Sequence, residues 1–228
     1  MPGRPLGGCR LQWPNSPRLL SMARYFDVHP VDPQPRSVAA IVAMLRDDAL
    51  IAYPTDSGYA LGCQLGCTSG LDRIRRLRGL DARHPFTLLC ADMAQLGRFV
   101  VMDNAVFRAI KAATPGPYTF ILPATGEVPR RMSHPKQRTV GVRIPKHPVV
   151  TALLHELAEP LVSSTLLLPG QEDPMTDGWQ VKEEFDHVVD AVIDSGECGD
   201  RPTTVVDYTE GHPVVTRVGA GDPAPFEG

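Results

Sequence analysis

Between Arg24 and Arg217 short apolar runs alternate with stretches of helical apolar spacing, and this alternation restricts the chain to strands wrapped by helices. Residues 36–47 place Val38, Ile41, Val42 and Leu45 on one side of a helix, and residues 49–53 read as a buried strand stopped by Pro54. Residues 70–77 give a second helix with Leu71, Ile74 and Leu77 inward, followed by an apolar strand over 86–90. A third helix is expected over 104–113 and a fourth over 149–157. Strands are expected over 118–122, 139–143, 188–193, 203–206 and 214–217. The predicted class is α/β (α+β), a mixed, twisted sheet flanked by helices. A chain of 228 residues can bury one core of this kind unaided, and no internal repeat suggests a solenoid.

A net charge of −3 argues against a protein that coats nucleic acid through bulk charge, so any RNA contact has to be local. No apolar run approaches the roughly 18 residues of a membrane span, and no membrane partner is expected. Five cysteines make an odd count without a C-x-x-C pair, which signals neither a disulfide framework nor a thiolate zinc site. A reducing cytoplasm is the expected compartment. Cys63 and Cys90 read as small buried hydrophobes. Residues 1–26 hold no acid, carry Arg4, Arg10, Arg18 and Arg24, and are broken by four prolines. They lack the continuous apolar stretch of a signal peptide. The expectation is a disordered extension over 1–22, with Met22 as the native start, before a domain over 23–228.

Several segments carry more punctuation than a fold needs. Tyr53-Pro54-Thr55-Asp56-Ser57-Gly58-Tyr59-Ala60-Leu61-Gly62 reads as a strand ending in a polar, glycine-bearing turn. Such an end either turns the chain or presents hydroxyls to a ligand. Arg73, Arg75, Arg76, Arg78 and Arg83 crowd a helix end, where they either complement the helix dipole or hold phosphate oxygens. Residues 114–122 join a Pro/Gly turn to a strand, and Val142-Arg143-Ile144-Pro145 ends another strand on an arginine expected to stand exposed. Strand ends are also where open α/β sheets bind ligands. A P-loop and a His-Glu-x-x-His zinc motif are absent, and Gly219-Ala220-Gly221 is too short for a dinucleotide fingerprint.

The ordered set of Pro54-Thr55-Asp56-Ser57 with Tyr59, Arg76-Leu77-Arg78, Pro115-Gly116-Pro117-Tyr118-Thr119, Arg143-Ile144-Pro145, Thr203-Thr204-Val205-Val206-Asp207 and Arg217 resembles the YrdC family, in its YciO-type branch. The resemblance covers nearly all of residues 24–226. It implies a YrdC-like sheet with a concave basic groove, and a threonylcarbamoyl-AMP synthase-like enzyme. Such an enzyme combines L-threonine, bicarbonate and ATP with Mg²⁺ into threonylcarbamoyl-adenylate, for modification of tRNA by partner proteins. No tightly bound cofactor, covalent nucleophile or acid/base residue is implied, and a metal site is left unassigned. Carried over by position, Thr55, Arg143, Thr165 and Thr203 resemble the residues that contact threonine. Arg76, Arg78, His84, Thr119 and Arg217 resemble those at the ATP and its phosphates. Arg143→Ala is expected to abolish threonine-dependent chemistry and leave the fold intact.

Departures from the pattern keep other readings open. Leu167 stands where the synthases carry an asparagine, Arg76 replaces a lysine, Gly79 a proline and Ala60 a glycine. A lost side-chain hydrogen bond to a reacting group costs about 1–3 kcal/mol, so activity is expected to be weakened or redirected. A diverged RNA- or nucleotide-binding protein, including a binder of double-stranded RNA, and an adenylating or carbamoylating enzyme with another substrate are the alternatives. Residues 171–179, polar and holding Pro174 and Gly178, are the candidate for a mobile lid over the nucleotide.

Overall fold

Helix and strand periodicity resolve into ten strands and six α-helices in a computed structural model, which describes residues 22–81, 84, 86–134, 136–170, 173–196 and 198–227. The N-terminal extension read from the sequence, apart from Met22, lies outside the described residues, as does Arg83. The chain runs β1 (Arg24–Asp27), α1 (Pro35–Arg46), β2 (Ile51–Thr55), β3 (Gly58–Gln64), α2 (Thr68–Arg78), β4 (Thr87–Leu89), α3 (Met93–Phe99) and α4 (Asn104–Ala113). It continues through β5 (Tyr118–Pro123), β6 (Thr139–Arg143), α5 (Pro148–Leu157), β7 (Leu161–Thr165), α6 (Gly178–Phe185), β8 (Ala191–Asp194), β9 (Thr204–Asp207) and β10 (Val214–Arg217). All ten strands form one mixed sheet in the order β1-β8-β2-β3-β7-β4-β6-β5-β9-β10.

Two apolar layers sandwich part of this sheet. On one face α1 and α5 bury Val38, Ile41, Leu45, Val150, Leu153 and Leu154 against Ile51, Tyr53, Leu161, Ala191 and Ile193. Each fully buried aliphatic side chain of this kind is worth about 1.5–3 kcal/mol in transfer from water. That layer reaches Leu89 of β4 and includes no residue of β5, β6, β9 or β10. On the opposite face α2, α3, α4 and α6 pack over residues that include Leu88, Phe120, Val142 and Val206, so this layer continues under the far half of the sheet. Alternation then turns Thr119 and Arg143 toward the face that α1 and α5 leave uncovered.

The sequence reading placed most helices, and the structure corrects it at several joints. Pro54 does not stop the strand: β2 runs on to Thr55 with Pro54 opposite Tyr59. β8 pairs with β2 only at Ile51 and Ala52, so at Pro54 no ladder on that side needs an amide donor. The glycine-bearing segment after it is a two-residue hairpin through Asp56 and Ser57 into a full strand, β3. α2 stops at Gly79, whose φ of 62 closes the helix through the left-handed region. Proline cannot take that angle, which gives a physical reason for glycine where the family pattern has proline.

Candidate functional site

The β2–β3 hairpin is braced before any ligand is considered. Thr55 Oγ1 accepts a hydrogen bond from the Ser57 amide at 3.0 Å and donates to the Gly58 carbonyl at 2.7 Å. The Tyr59 amide donates to the Met175 carbonyl at 2.9 Å, and Pro174 and Met175 are both buried. The segment read as a free lid is therefore fastened to the hairpin, and α6 begins at its end. Of that segment, Gln171 and Glu172 lie outside the described residues.

Arg143, the last residue of β6, reaches this hairpin. Its Nη1 donates to Ser57 Oγ at 2.8 Å and its Nη2 forms an ion pair with Asp56, whose other oxygen accepts the Lys146 amide at 3.3 Å. Arg143 is 6% exposed, which corrects the expectation of an exposed strand-end arginine. Burial pulls its pKa down, opposed by the Asp56 charge, and its buried Nε has no hydrogen-bond partner. Replacing it therefore cannot leave the fold untouched. His147, just before α5, lies in the same field: burial lowers its pKa, Asp56 raises it and Arg143 lowers it further.

A second group gathers at the ends of β5, β9 and β10. Thr119 Oγ1 and Thr203 Oγ1 are 2.9 Å apart, and Arg217 donates from Nε to the Thr203 carbonyl and from Nη2 to Thr203 Oγ1, both at 3.0 Å. Thr203 is thus a buried hub with a threonine on one side and a guanidinium on the other. The β9–β10 register slips between Val215 and Arg217, a bulge that resets where Arg217 points.

Arg78, at the end of α2, completes the set. Its Nη1 donates to Ser164 Oγ at 2.6 Å and its Nε to the Leu167 carbonyl at 3.3 Å. Burial lowers the pKa of Arg78, with Arg217 as the next cause, and partial desolvation lowers that of Arg217, itself exposed, with Arg143 as the next. The three guanidinium groups therefore feel one another in sequence. Neither Arg78 nor Arg217 has a carboxylate partner among the described residues, so Asp56 is the one acid found to balance the three. His84 is exposed at the rim of this cationic region, where partial desolvation and then Arg78 and Arg75 lower its pKa.

Some predicted residues are not brought in. Arg76 is exposed and donates to the carbonyl of Asp72 in its own helix at 3.3 Å. Arg73 is taken by Asp190 at 2.5 Å, and Arg75 lies 4.9 Å over the Phe86 ring with Asp72 at 3.6 Å. Of the arginine run, among the described residues, only Arg78 joins the other two arginines. Thr165 ends β7 opposite Ala60, half-buried. Leu167 contributes a main-chain carbonyl, which no side-chain replacement removes. Asp56 and Ser57 fall within the turn motif and Ser164 within β7, and the sequence assigns none of the three a role; a short polar side chain near a strand junction is their signal.

Arg78 and Arg217, two guanidinium groups without a carboxylate partner among the described residues, lie near threonine hydroxyls, an arrangement whose chemistry suits anionic oxygens. The family model described as Sua5_yciO_yrdC, Telomere recombination, matches residues 43–219. The chain belongs to this family. Within the family it is 45% identical over 205 residues to the uncharacterized protein YciO of Escherichia coli K12, covering 90% of this chain and 100% of the relative. The crystal structure of Escherichia coli YciO superposes with a TM-score of 0.87 over 90% of this chain and 100% of that one. A threonylcarbamoyl-AMP synthase of Halorhodospira halophila is 32% identical over 185 residues, 80% of this chain and 95% of the relative. The structure of Pyrococcus abyssi Sua5 complexed with L-threonine matches with a TM-score of 0.78 at 27% identity, covering 86% of this chain and 57% of that one. Among the described residues no helix is long and apolar enough to cross a membrane.

Proposed function

We propose that this chain is a threonylcarbamoyl-AMP synthase-like enzyme, joining L-threonine, bicarbonate and ATP as threonylcarbamoyl-adenylate with release of pyrophosphate, for the modification of tRNA. The observation that carries this reading is the succession Arg78, Arg217, Arg143, three guanidinium groups with one carboxylate among them, beside Thr55, Thr119 and Thr203. Attack of an N-carboxylated threonine on the α-phosphate of ATP builds charge on the phosphate chain and on the leaving pyrophosphate. Fixed cations and positioned hydroxyls stabilise that charge without a covalent intermediate. In this reading Arg78 and Arg217 take the phosphates. Arg143, already engaged by Asp56 and Ser57, offers its bare Nε to the amino-acid carboxylate. No cluster of three or more metal-ligating side chains exists among the described residues, and Asp56 is already engaged by Arg143 and the Lys146 amide. In this reading Mg²⁺ belongs to the substrate and would arrive with ATP. The name of the Halorhodospira halophila relative and the threonine bound to the Pyrococcus abyssi protein support the choice of substrates.

Leu167 favours one other reading, a nucleotide- or RNA-binding protein that keeps the cationic face without the synthesis. One experiment separates the two. Purified protein is incubated with L-threonine, bicarbonate, Mg²⁺ and ATP, and threonylcarbamoyl-adenylate is sought by mass spectrometry, with Arg217→Gln as the control. Product in the wild type that falls about 100-fold in the variant, the loss typical of one removed charge-stabilising donor, is the expected result. ATP binding without product would overturn the synthase reading in favour of the binder.

A further inference from the structure

Two thiols away from the cationic face meet at the start of α2. Cys63 lies buried in β3, and Cys67 caps α2, only 4% exposed. The link between them folds back through a turn at Gly66, closed by the Cys67 amide donating to the Gln64 carbonyl at 3.1 Å. Both sulfurs then press on Gly70. A Cβ there would stand 2.7 Å from the Cys63 sulfur and 3.0 Å from the Cys67 sulfur, so the missing side chain is what lets the two thiols share one pocket. The Cys67 sulfur accepts a hydrogen bond from the Gly70 amide at 3.2 Å and lies 3.4 Å from Ser69 Oγ. A helix N-terminus with a free amide and a hydroxyl is the setting that stabilises a thiolate. The two thiols are split accordingly. The contact with Cys63 pulls Cys67 down to about 6 against the effect of burial, and the same contact, then burial, pushes Cys63 up. Burial holds Cys90 up at about 12 and Cys198 at about 11.

We propose that Cys63 and Cys67 form an oxidisable dithiol, a modification site that takes a small hydroperoxide and closes to a reversible intramolecular disulfide. The Cys67 thiolate attacks one peroxide oxygen, the O–O bond breaks, and the departing alkoxide or hydroxide takes up a proton. Cys67 is left as a sulfenic acid, oxidised by two electrons while the peroxide is reduced. The Cys63 sulfur then attacks the Cys67 sulfur, the S–O bond breaks, and the hydroxide leaves as water with the Cys63 proton. Two thiols and one hydroperoxide become one disulfide, one alcohol or water, and one water. Cys67 caps the helix whose last residue is Arg78, so closure acts on the element that delivers one of the three arginines.

The test uses the full chain, one equivalent of hydrogen peroxide, iodoacetamide quenching and tryptic mapping. Residues 47–73 form a single tryptic peptide that holds both cysteines and no internal lysine or arginine. The expected result is loss of two hydrogens from this peptide with no alkyl group taken up, and recovery of both alkylation sites after dithiothreitol. Cys67→Ser keeps an oxygen acceptor at the helix cap and is expected to fold, with oxidation of the peptide slowed about ten-fold or more. Cys63→Ala is expected to stop at the sulfenic acid, trapped by dimedone on Cys67. The proposal is overturned if the 47–73 peptide stays doubly alkylated while Cys90 or Cys198 oxidises, or if Cys67 goes to the sulfinic acid in the wild type without closing.

Discussion

Replacing Arg143 by alanine removes one partner of a nearly buried ion pair and leaves Asp56, whose side chain is 15% exposed, without its counter-charge. The substitution also deprives Ser57 of its 2.8 Å hydrogen bond, loosening the hairpin that Thr55 braces. Breaking a buried pair from one side costs about 3–5 kcal/mol, because the remaining charge has lost the interaction that offset its desolvation. For a chain of this size that corresponds to a fall in Tm of roughly 6–20 °C. Neutralising both partners, as in Arg143→Met with Asp56→Asn, should recover most of the loss, since no uncompensated charge is left. Urea denaturation of wild type, single and double variants, read as midpoint shifts at constant slope, measures this directly. A single Arg143→Ala loss below about 1 kcal/mol, or a double variant no better than the single, would refute the claim that Arg143 is a structural member of the hairpin. The consequence for enzymology is that Arg143→Ala confounds folding with chemistry, which is why Arg217 serves as the functional control.

Two further outcomes are expected. Gly79→Pro forces a residue restricted to negative φ into a position at 62, and should destabilise by more than about 1 kcal/mol, whereas Gly79→Asn, tolerated in the left-handed region, should cost less; the ranking is read from urea midpoints. Although exposed, His84 is lowered from its ordinary value of 6.5 by partial desolvation and by Arg78 and Arg75, so its contribution to stability is present above that pH, small because of its exposure, and lost as pH falls. Stability measured from pH 7.5 down to 5 should therefore drop more steeply in the wild type than in His84→Asn, and equal slopes would contradict this.

Helix periodicity was legible because each helix carries an apolar stripe: Val38, Ile41, Val42 and Leu45 mark α1 in sequence and are its buried face in the structure. β3 was not read as a strand because Gly58 and Gly62 resemble turn punctuation. Gly62 is instead a packing glycine, since a Cβ there would stand 2.6 Å from the Tyr53 ring. Short apolar elements such as β1, β7, α3 and α6 carry too few periodic positions to announce themselves. Within the site, the motifs named Arg78, Arg143, Thr119, Thr203 and Arg217, which the fold draws together. The sequence could not separate Arg78 from its neighbours, because that distinction depends on Asp190 and Phe86, remote residues that engage Arg73 and Arg75. Nor could it reveal the Arg143–Asp56 pair, which joins positions 87 apart along the chain.

β10 lies at the end of the sheet and pairs on one side only, with β9. Three of its four residues are exposed, so little apolar burial anchors it. Edge segments with few buried contacts open at a fraction of the global unfolding free energy. Arg217 is the last residue of this strand, and its two bonds to Thr203 therefore join this border of the sheet to the buried hub at the start of β9. An anion that draws on Arg217 would hold that border in place, while an empty face would let it fray. Occupancy and edge order are then two readings of one equilibrium.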